Sequence, residues 1–394
     1  MAPHSQIDEV RVKFIYLDLP TDLQNKIEAP FTYLNSIPSN HGKVRSKFLN
    51  AFNEEFFQIR NEKILNYLDE LISILHNASL LIDDIEDNSQ CRRGFPASYK
   101  KFGMPLTLNC GNLYYFKAFE FIDKISKEVA IETNRHVTEE NYVPEKDEKP
   151  SLTTKLYRIL IEEMNYLHNG QGSDIYWRDF LPDLKKLPSV VDYYEMVNGK
   201  TSGLFRLACK FMAVLRSGGC SKSFFDKIET LANIVGIIYQ IRDDYLNLYD
   251  SNYSVSKGLA GEDLIEGKLS FPILIHLLDY EKQSLLNDDS NGSRKKLKTE
   301  KPTKLSTARS RSHVKDLLYN YRTVEERMKQ QELIQLAIEQ LHEDETFSKI
   351  RSHMTSLRDQ FEECQLELHG EKDFKWPIKE DTDLMKIVHS LTNL

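Results

Sequence analysis

The sequence is poor in the residues that end short secondary-structure elements, with 13 proline and 16 glycine residues spread over 394 positions. β-Barrels and β-sandwiches need a turn about every ten residues, so this scarcity argues against both classes of fold. Basic residues are not in surplus either, because 52 lysine and arginine residues stand against 60 acidic ones and leave a net charge of −8. Proteins that bind nucleic acids broadly usually carry a basic surplus, and we therefore expect no nucleic-acid partner.

Cysteines and long apolar runs are scarce as well. The five cysteines are scattered, odd in number and form no CxxC pair, which favours free thiols in a reducing compartment over a disulfide framework or a zinc site. No run of about eighteen apolar residues predicts a transmembrane segment. The first residues, MAPHSQIDEVRV, lack the apolar core of a signal peptide, so we expect a cytoplasmic protein.

Long segments with apolar residues at helical spacing make up most of the sequence. In 62–87 and again in 228–249, apolar residues recur every three or four positions, and parts of both segments are apolar on nearly all sides. Such segments predict helices in the interior of the protein. Strand-like alternation of useful length is absent, so the sequence predicts one large all-α domain over residues 1–394.

Two polar segments interrupt this pattern, at about 138–150 and 287–313. The first carries five acidic residues and two prolines, and the second contains the basic run DSNGSRKKLKTEKPTKLSTARSRSH at 289–313. Low hydrophobicity and like charges predict disordered loop insertions between helices. A basic run of this kind can also act as a nuclear-import signal or contact anionic membranes, which leaves an adaptor protein as an alternative.

Two acidic clusters each follow a strongly apolar stretch. Their polar residues are Asp83, Asp84, Glu86 and Asp87 in LLIDDIEDNSQCRRG, and Asp243, Asp244 and Asn247 in YQIRDDYLNL. The first and last side chains of each cluster are four positions apart, on one face of a helix and about 6 Å from each other. Carboxylates at this spacing can share hard cations such as Mg²⁺, and without a counter-ion they repel each other.

Acidic pairs also occur where a helix simply ends or faces water, and that explanation would suffice for one such cluster alone. Here an unpaired carboxylate beside an apolar stretch would be costly, and the pattern occurs on two separate helices. Arg92, Arg93 and Gly94 follow the first cluster directly and supply a cationic turn. Carboxylates on both walls of a cleft, with arginines beside them, suit a complex of Mg²⁺ with a polyphosphate.

At these motifs the sequence resembles the trans-prenyl diphosphate synthases, and among them the geranylgeranyl diphosphate synthases of fungi and animals. LLIDDIEDNSQCRRG is similar to the first aspartate-rich motif of that family and QIRDDYLNL to the second. Three further stretches resemble the family in the same order: HNGQGSDIYWRDF at 168–180, NGKTSGLFRL at 198–207 and GEDLIEGKLSFP at 261–272. The resemblance implies a helical bundle of the isoprenoid synthase type with a central cleft, about three Mg²⁺ ions per active site, and a homodimer or higher homo-oligomer.

The resemblance also implies roles for single residues. Asp83, Asp87 and Asp243 would bind the Mg²⁺ ions, with Asp84 and Asp244 in support. The residues implied to contact the allylic diphosphate are Arg92, Lys200, Thr201, Gln240, Lys257 and Lys268, and Asn247 is a further substrate-binding residue. Those implied to contact isopentenyl diphosphate are Lys43, Arg45, His76 and Arg93, with Gln171 and Asp174 behind the ligands in the same cleft.

Two of these assignments depart from the family's pattern. The family spaces its lysine and arginine three positions apart, whereas Lys43 and Arg45 are two apart, so Arg45 is the closer match. Asn247 stands where many relatives carry an aspartate, and an amide oxygen can still bind a cation weakly. The lysines could instead be ordinary surface charges. His76 could instead be a core histidine that is hydrogen-bonded by a neighbouring residue.

The activity that the resemblance implies is prenyl transfer. An allylic diphosphate, preferably farnesyl diphosphate, would ionise with the help of Mg²⁺ and alkylate isopentenyl diphosphate to give geranylgeranyl diphosphate. Ala78 and Ser79 lie about one turn before Asp83, where relatives that stop at fifteen carbons carry a bulky aromatic residue. The two small side chains predict a longer product, and close helix packing would also explain them.

Three alternatives share some of these features. A terpene cyclase uses a similar aspartate-rich Mg²⁺ site but lacks an isopentenyl pocket, and His76, Arg45 and Arg93 argue against it. A catalytically silent regulatory subunit would be expected to have lost aspartates or the arginine turn, and both are present here. A synthase of a different product length remains the third.

Overall fold

The computed structural model describes residues 19–38, 44–134, 150–216, 219–250, 261–293, 311–374, 376–377 and 381–394. Over these residues the chain forms sixteen α-helices, one π-helix, one 3₁₀ turn and one two-stranded hairpin. The prediction of an all-α protein is therefore confirmed. None of the described helices is long and apolar enough to cross a membrane, and all five cysteines are free thiols.

Helices make up most of the elements in the described part of the chain. The first nine helices are α1 (Thr21–Ser36), α2 (Val44–Phe52), α3 (Glu62–Glu86), α4 (Ser98–Phe102), α5 (Met104–Asn134), α6 (Leu152–Phe180), α7 (Val190–Lys200), α8 (Ser202–Leu215) and α9 (Lys222–Tyr249). The others are α10 (Glu262–Glu266), α11 (Phe271–Ser293), α12 (His313–Asn320), α13 (Val324–Met328), α14 (Gln331–Glu343), α15 (Thr346–His369) and α16 (Asp383–Thr392). The π-helix is Asn53–Phe57, the 3₁₀ turn is Leu181–Asp183, and the hairpin strands are β1 (Cys91–Arg92) and β2 (Phe95–Pro96).

The two segments with apolar periodicity form the central helices α3 and α9. Helix α3 begins where the Asn61 side chain accepts hydrogen bonds from the first free backbone N–H groups. Helix α9 begins at Lys222, before the apolar stretch, because the Ser221 hydroxyl caps it in the same way. Leu68, Leu71 and other apolar side chains of α3 are fully buried, and α3 packs on α5 while α9 packs on α8 and α15.

The largest cluster of buried apolar side chains in the described residues extends from Phe48 in α2 to Val388 in α16. Of the two predicted insertions, the segment at 138–150 lies almost entirely outside the described residues. Around the predicted insertion at about 287–313, helix α11 continues to Ser293 and Ser312 caps the start of α12. The residues between 294 and 310 lie outside the described part of the chain.

Two glycines set the distance between α6 and α7. A Cβ on Gly170 would lie 2.4 Å from the backbone nitrogen of Lys200, and one on Gly199 would lie 2.5 Å from a carbonyl oxygen of α6. No residue larger than glycine fits at either position without moving the backbone. The close approach brings Gln171 and Asp174 on α6 next to Lys200.

Residues His369, Phe374 and Trp376 pack on the π-helix. The backbone carbonyl of Glu55 accepts a hydrogen bond from the Trp376 indole, and its carboxylate lies 2.9 Å from Nε2 of His369. Phe56 is fully buried there, with its ring against those of His369 and Phe374. The irregular turn is thus covered by residues that follow it by some three hundred positions.

Candidate active site

A cleft of about 680 Å³ is lined by residues of α3, α6, the α7–α8 junction, α9 and the α10 segment. The residues singled out from the sequence that line it are Arg45, His76, Ser79, Asp83, Glu86, Asp87, Arg92, Arg93, Gln171, Lys200, Thr201, Gln240, Asp243, Asn247 and Lys268. Asp84, Asp174 and Asp244 are buried behind these residues. Lys43 and Lys257 lie outside the described residues.

Asp83 lies among cationic and amide donors. Its Oδ1 accepts a hydrogen bond from Gln171 Nε2 at 3.0 Å and lies 3.5 Å from Lys200 Nζ, while its Oδ2 lies 3.2 Å from a guanidinium nitrogen of Arg92. Burial alone would raise the pKa of Asp83, but Lys200 and Arg92 outweigh it and lower the pKa to about 2. Asp83 is therefore ionised at neutral pH, as a ligand of a cation must be.

Asp84 supports Arg92 from behind the cleft. The two form a buried ion pair in which Arg92 Nε donates to Asp84 Oδ1 at 2.7 Å. Burial raises the pKa of Asp84 to about 6 in spite of this arginine. The pair fixes the guanidinium of Arg92 against the first aspartate wall, which agrees with a supporting role for Asp84.

Asp87 ends α3 one turn after Asp83, with its N–H donating to the Asp83 carbonyl at 2.8 Å. Burial and the neighbouring Asp83 raise the pKa of Asp87 to about 7. Its carboxylate pairs with Arg178 of α6, which also donates to the carbonyl of Glu86 at 3.0 Å. We missed Arg178 in the sequence, although its spacing of four from Asp174 places it on the same face of a helix.

The second wall is built on Asp244. Its Oδ2 accepts hydrogen bonds from the Tyr193 hydroxyl at 2.6 Å and from the backbone N–H of Phe271 at 2.8 Å. Its Oδ1 accepts one from Gln240 Nε2 at 2.8 Å. Asp244 therefore ties α9 to α7 and α11, whereas Asp243 lines the cleft.

Lys200 and Thr201 occupy the break between α7 and α8. Lys200 Nζ lies 2.7 Å from Asp174 Oδ2, and the Thr201 hydroxyl donates to Gln240 Oε1 at 2.6 Å. Burial would lower the pKa of Lys200, but Asp174 and Asp83 reverse this effect and raise it above the ordinary value. Lys200 is thus a protonated cation facing the first wall.

The α10 segment completes the second wall. The Asn247 side-chain oxygen accepts a hydrogen bond from the Asp263 N–H at 3.1 Å, so Asn247 anchors the start of α10. Lys268 Nζ lies 3.9 Å from Asp244 Oδ1 and 4.0 Å from Asp263 Oδ1. Burial raises the pKa of Asp263 to about 7. Burial, together with the negative charge of Asp87, raises the pKa of Glu266 well above its usual range. Sequence reasoning missed both acids, although their i, i+3 spacing within GEDLIEGKLSFP is visible.

A second group of cations surrounds His76. Arg93 and Gly94 form the two-residue turn of the hairpin, and both have positive φ (56° and 78°), which the tight turn between β1 and β2 requires. The pKa of His76 is well below its usual value. Burial is the largest cause, and the positive charges of Arg45, Arg93 and Arg92 lower it further. A neutral imidazole with three guanidinium groups nearby is suited to an anionic ligand.

The two residues implied to set product length occupy different environments. Ser79 lines the cleft, as does Tyr115 of α5, which sequence analysis did not single out. Ala78 instead lies fully buried in the hydrophobic core. Helix α5 approaches α3 closely there, because a Cβ on Gly111 would lie only 2.8 Å from the Ile82 side chain. Ala78 is thus not among the residues that line this cleft, and its role in product length stays a prediction.

The acidic residues of the cleft fit a divalent cation that is shared with a bound anion. In the part of the chain that the structure describes, no three histidine, cysteine or acidic side chains gather closely enough to hold a metal ion alone. Mg²⁺ needs no such cage, because it commonly binds one or two carboxylates and takes its other oxygens from water and phosphate. Buried oxygens of Asp174 and Asp263 without a hydrogen-bond partner, and the raised pKa of Asp87, indicate acids that an added cation would stabilise.

The chain matches one family model and a number of curated proteins. The family model for polyprenyl synthetases matches residues 24–306. Geranylgeranyl pyrophosphate synthase dpmaD of Metarhizium anisopliae is 42% identical over 248 residues, which are 63% of this chain and 62% of that protein. Geranylgeranyl pyrophosphate synthase olcC of Penicillium canescens is 43% identical over 252 residues, covering 64% of this chain and 63% of the relative. The matches thus span less than two thirds of the length of these relatives, and over that span the chain belongs to the polyprenyl synthetase family.

Proposed function

We propose that this chain is a prenyl transferase that joins isopentenyl diphosphate to an allylic diphosphate, with geranylgeranyl diphosphate as the product. The observation that carries the proposal is the cleft in which Asp83 of α3 and Asp243 of α9 lie with Arg92, Lys200 and Lys268. Acids that can share cations and fixed cations that can bind phosphate are the two requirements for holding a metal–diphosphate complex.

The allylic diphosphate would bind at the aspartate walls. Asp83, Asp87 and Asp243 would hold about three Mg²⁺ ions, which supply Lewis-acid stabilisation of the departing diphosphate when bound. Lys200 and Arg92 are held by buried carboxylates, Asp174 and Asp84, so their charges are already in position when negative charge develops on the leaving group. Gln171 orients Asp83 through its side-chain amide.

Isopentenyl diphosphate would bind at the His76 group. Arg45 and Arg93 supply positive charge, and neutral His76 can donate a hydrogen bond without adding charge of its own. The two diphosphates would then lie on separate cation groups, with Arg92 between them. Such placement sets the allylic carbon against the double bond of isopentenyl diphosphate.

Product length is the finer part of the proposal. We favour farnesyl diphosphate as the starter and a twenty-carbon product; the relatives' names support the product only. Ser79 supports this assignment because a small side chain on the cleft wall leaves room for a long isoprenoid.

The experiment that tests the proposal is product analysis. Purified protein is incubated with Mg²⁺, isopentenyl diphosphate and farnesyl diphosphate, with an EDTA control, and the products are identified by mass spectrometry. A chelator-sensitive twenty-carbon linear diphosphate is expected. A longer linear product would correct the chain length alone, and no elongation with dimethylallyl, geranyl or farnesyl diphosphate would overturn the proposed activity.

A further inference from the structure

Arg327 is a buried cation to which the proposed mechanism gives no role. It lies on α13, outside the residues that the family model matches, and only 5% of its surface is exposed. Its guanidinium donates three hydrogen bonds to backbone carbonyls: to Ile265 at 2.7 Å, to Glu266 at 2.6 Å and to Tyr321 at 2.9 Å. Burying a guanidinium is unfavourable unless its donors are satisfied, so these carbonyls hold Arg327 in one orientation.

The carbonyls of Ile265 and Glu266 belong to the turn that carries Lys268. Helix α10 has only five residues and ends at Gly267, whose φ of +79° reverses the chain. A helix this short does not persist in water alone, and the carbonyls at its end need partners from elsewhere. Arg327 supplies them, and it packs so closely that a Cβ on Gly267 would lie 2.6 Å from its Cζ.

Helix α13 is also joined to the first aspartate wall. The carboxylate of Glu325 accepts a hydrogen bond at 3.1 Å from the side chain of Asn88, the residue that follows Asp87. A capping box between Thr323 and Glu326 holds this short helix in shape. Its contacts therefore reach both walls of the cleft, with Arg327 on the side of Lys268.

We propose that Arg327 is a positioning residue for the diphosphate site. By fixing the turn at Gly267, it holds Lys268 Nζ within 4.0 Å of the acids Asp244 and Asp263. The inference deepens the proposed function, on which it rests, because it takes Lys268 as a group that meets the diphosphate. It also makes α13 part of the active site's framework, although the sequence motifs of the site all lie before residue 306.

A double-mutant cycle tests this inference. Wild-type protein, Arg327→Met, Lys268→Met and the double variant are titrated with inorganic diphosphate in the presence of Mg²⁺ by calorimetry. Arg327→Met alone should weaken binding on the order of tenfold, the usual effect of losing one hydrogen-bonded charge. In the Lys268→Met background the same substitution should change binding less than about twofold, because the group that it positions is already gone.

An equal loss in both backgrounds would overturn the proposal, since Arg327 would then act independently of Lys268. Arg327→Lys keeps the charge but not the forked geometry of the guanidinium, so it should also weaken diphosphate binding. If Arg327→Met does not fold, Arg327→Lys takes its place in the cycle. Arg322→Gln is the matched control, because Arg322 precedes the same helix, is 49% exposed and pairs with Asp183; its binding should equal that of the wild type. Diphosphate binding is measured without turnover, so the cycle can be read whether or not the protein elongates farnesyl diphosphate.

Discussion

At the scale of single residues, the two aspartates of each Asp-Asp pair have different surroundings. Asp83 and Asp243 line the cleft, whereas Asp84 and Asp244 are buried against Arg92 and Tyr193. Neighbouring positions on a helix are about 100° apart, so the two side chains of each pair point in different directions. The first carboxylate of each pair therefore lines the cleft, and the second holds neighbouring elements in place.

Substitution of the aspartates that line the cleft is expected to remove activity and spare the fold. Asp83→Ala and Asp243→Ala should each lower turnover by roughly a hundredfold or more, because charge on the leaving diphosphate would lose its stabilisation. Asp84→Ala should instead lower the free energy of unfolding by about 1.5–3 kcal/mol, since Arg92 loses its fully buried hydrogen-bond acceptor and keeps only the contact with Asp83. Steady-state kinetics and urea unfolding separate the two effects. Wild-type turnover in Asp83→Ala or Asp243→Ala would contradict the metal assignment.

His76 should make stability depend on pH in the absence of ligands. Its pKa is near 6.5 in the unfolded chain and well below that in the folded protein. Burial is the largest cause of this lowering, and the positive charges of Arg45 and Arg93 add to it. As the pH falls below about 6.5, the unfolded state therefore gains a proton that the folded state does not bind. The free energy of unfolding decreases by up to about 1.4 kcal/mol per pH unit from this group.

His76→Gln should show a shallower loss of stability between about pH 6.5 and pH 5.5 in urea titrations. Ser73→Ala is the control, because Ser73 lines the same cleft and carries no titratable group; it should keep the wild-type slope. Equal slopes for His76→Gln and the wild type would show that His76 is not held neutral.

At the scale of elements, the sequence predicted the helices better than the contacts between them. Helices α3 and α9 were recognisable because their apolar periodicity is a local property, and the aspartates on them came with the motifs. Arg178, Glu266 and Arg327 were missed because each acts through a partner on another element. Spacing along one helix does not disclose which element will pack on it, and α13 offers no motif that would link it to the cleft.

Substitutions on α3 can distinguish two explanations of its small residues Ala78 and Ser79, namely room for a longer product and close helix packing. Ser79→Phe should shorten the main product by one isoprene unit with dimethylallyl diphosphate as the starter, since Ser79 lines the cleft. Ala78→Phe should instead destabilise the protein by about 1–3 kcal/mol, because Ala78 is enclosed in the core. Product mass spectrometry and urea unfolding of both variants distinguish the effects. A shorter product from Ala78→Phe alone would place the cleft wall at Ala78 after all.

At the scale of the whole molecule, an apolar row on α5 and α6 is open to solvent. Phe116 is 73% exposed and Ile161 is 51% exposed. The ring of Phe119 stacks with those of Phe116 and Tyr157 at centroid distances of 6.3 and 6.0 Å, which joins the two helices into one aromatic surface. Exposed apolar surfaces of this kind are typical of protein interfaces.

We therefore expect a homo-oligomer that assembles through this row. Phe116→Glu should lower the mass measured by sedimentation equilibrium to that of a single chain, because a carboxylate would be buried unpaired in the interface. Leu366→Glu introduces the same charge at a residue of α15 that is 69% exposed and should leave the mass unchanged. A wild-type protein that sediments as a single chain, or a Phe116→Glu variant with the wild-type mass, would contradict this expectation.

The packing of Trp376 on Glu55 has a consequence for synthesis of the chain on the ribosome. These residues are 321 positions apart, so the π-helix receives its cover only after the chain has been translated as far as Trp376. Until then Phe56 lacks the rings of His369 and Phe374 against which it packs, and it presents apolar surface to molecular chaperones. A nascent chain that stalled before His369 would carry every aspartate of the active site and still be a client for chaperones.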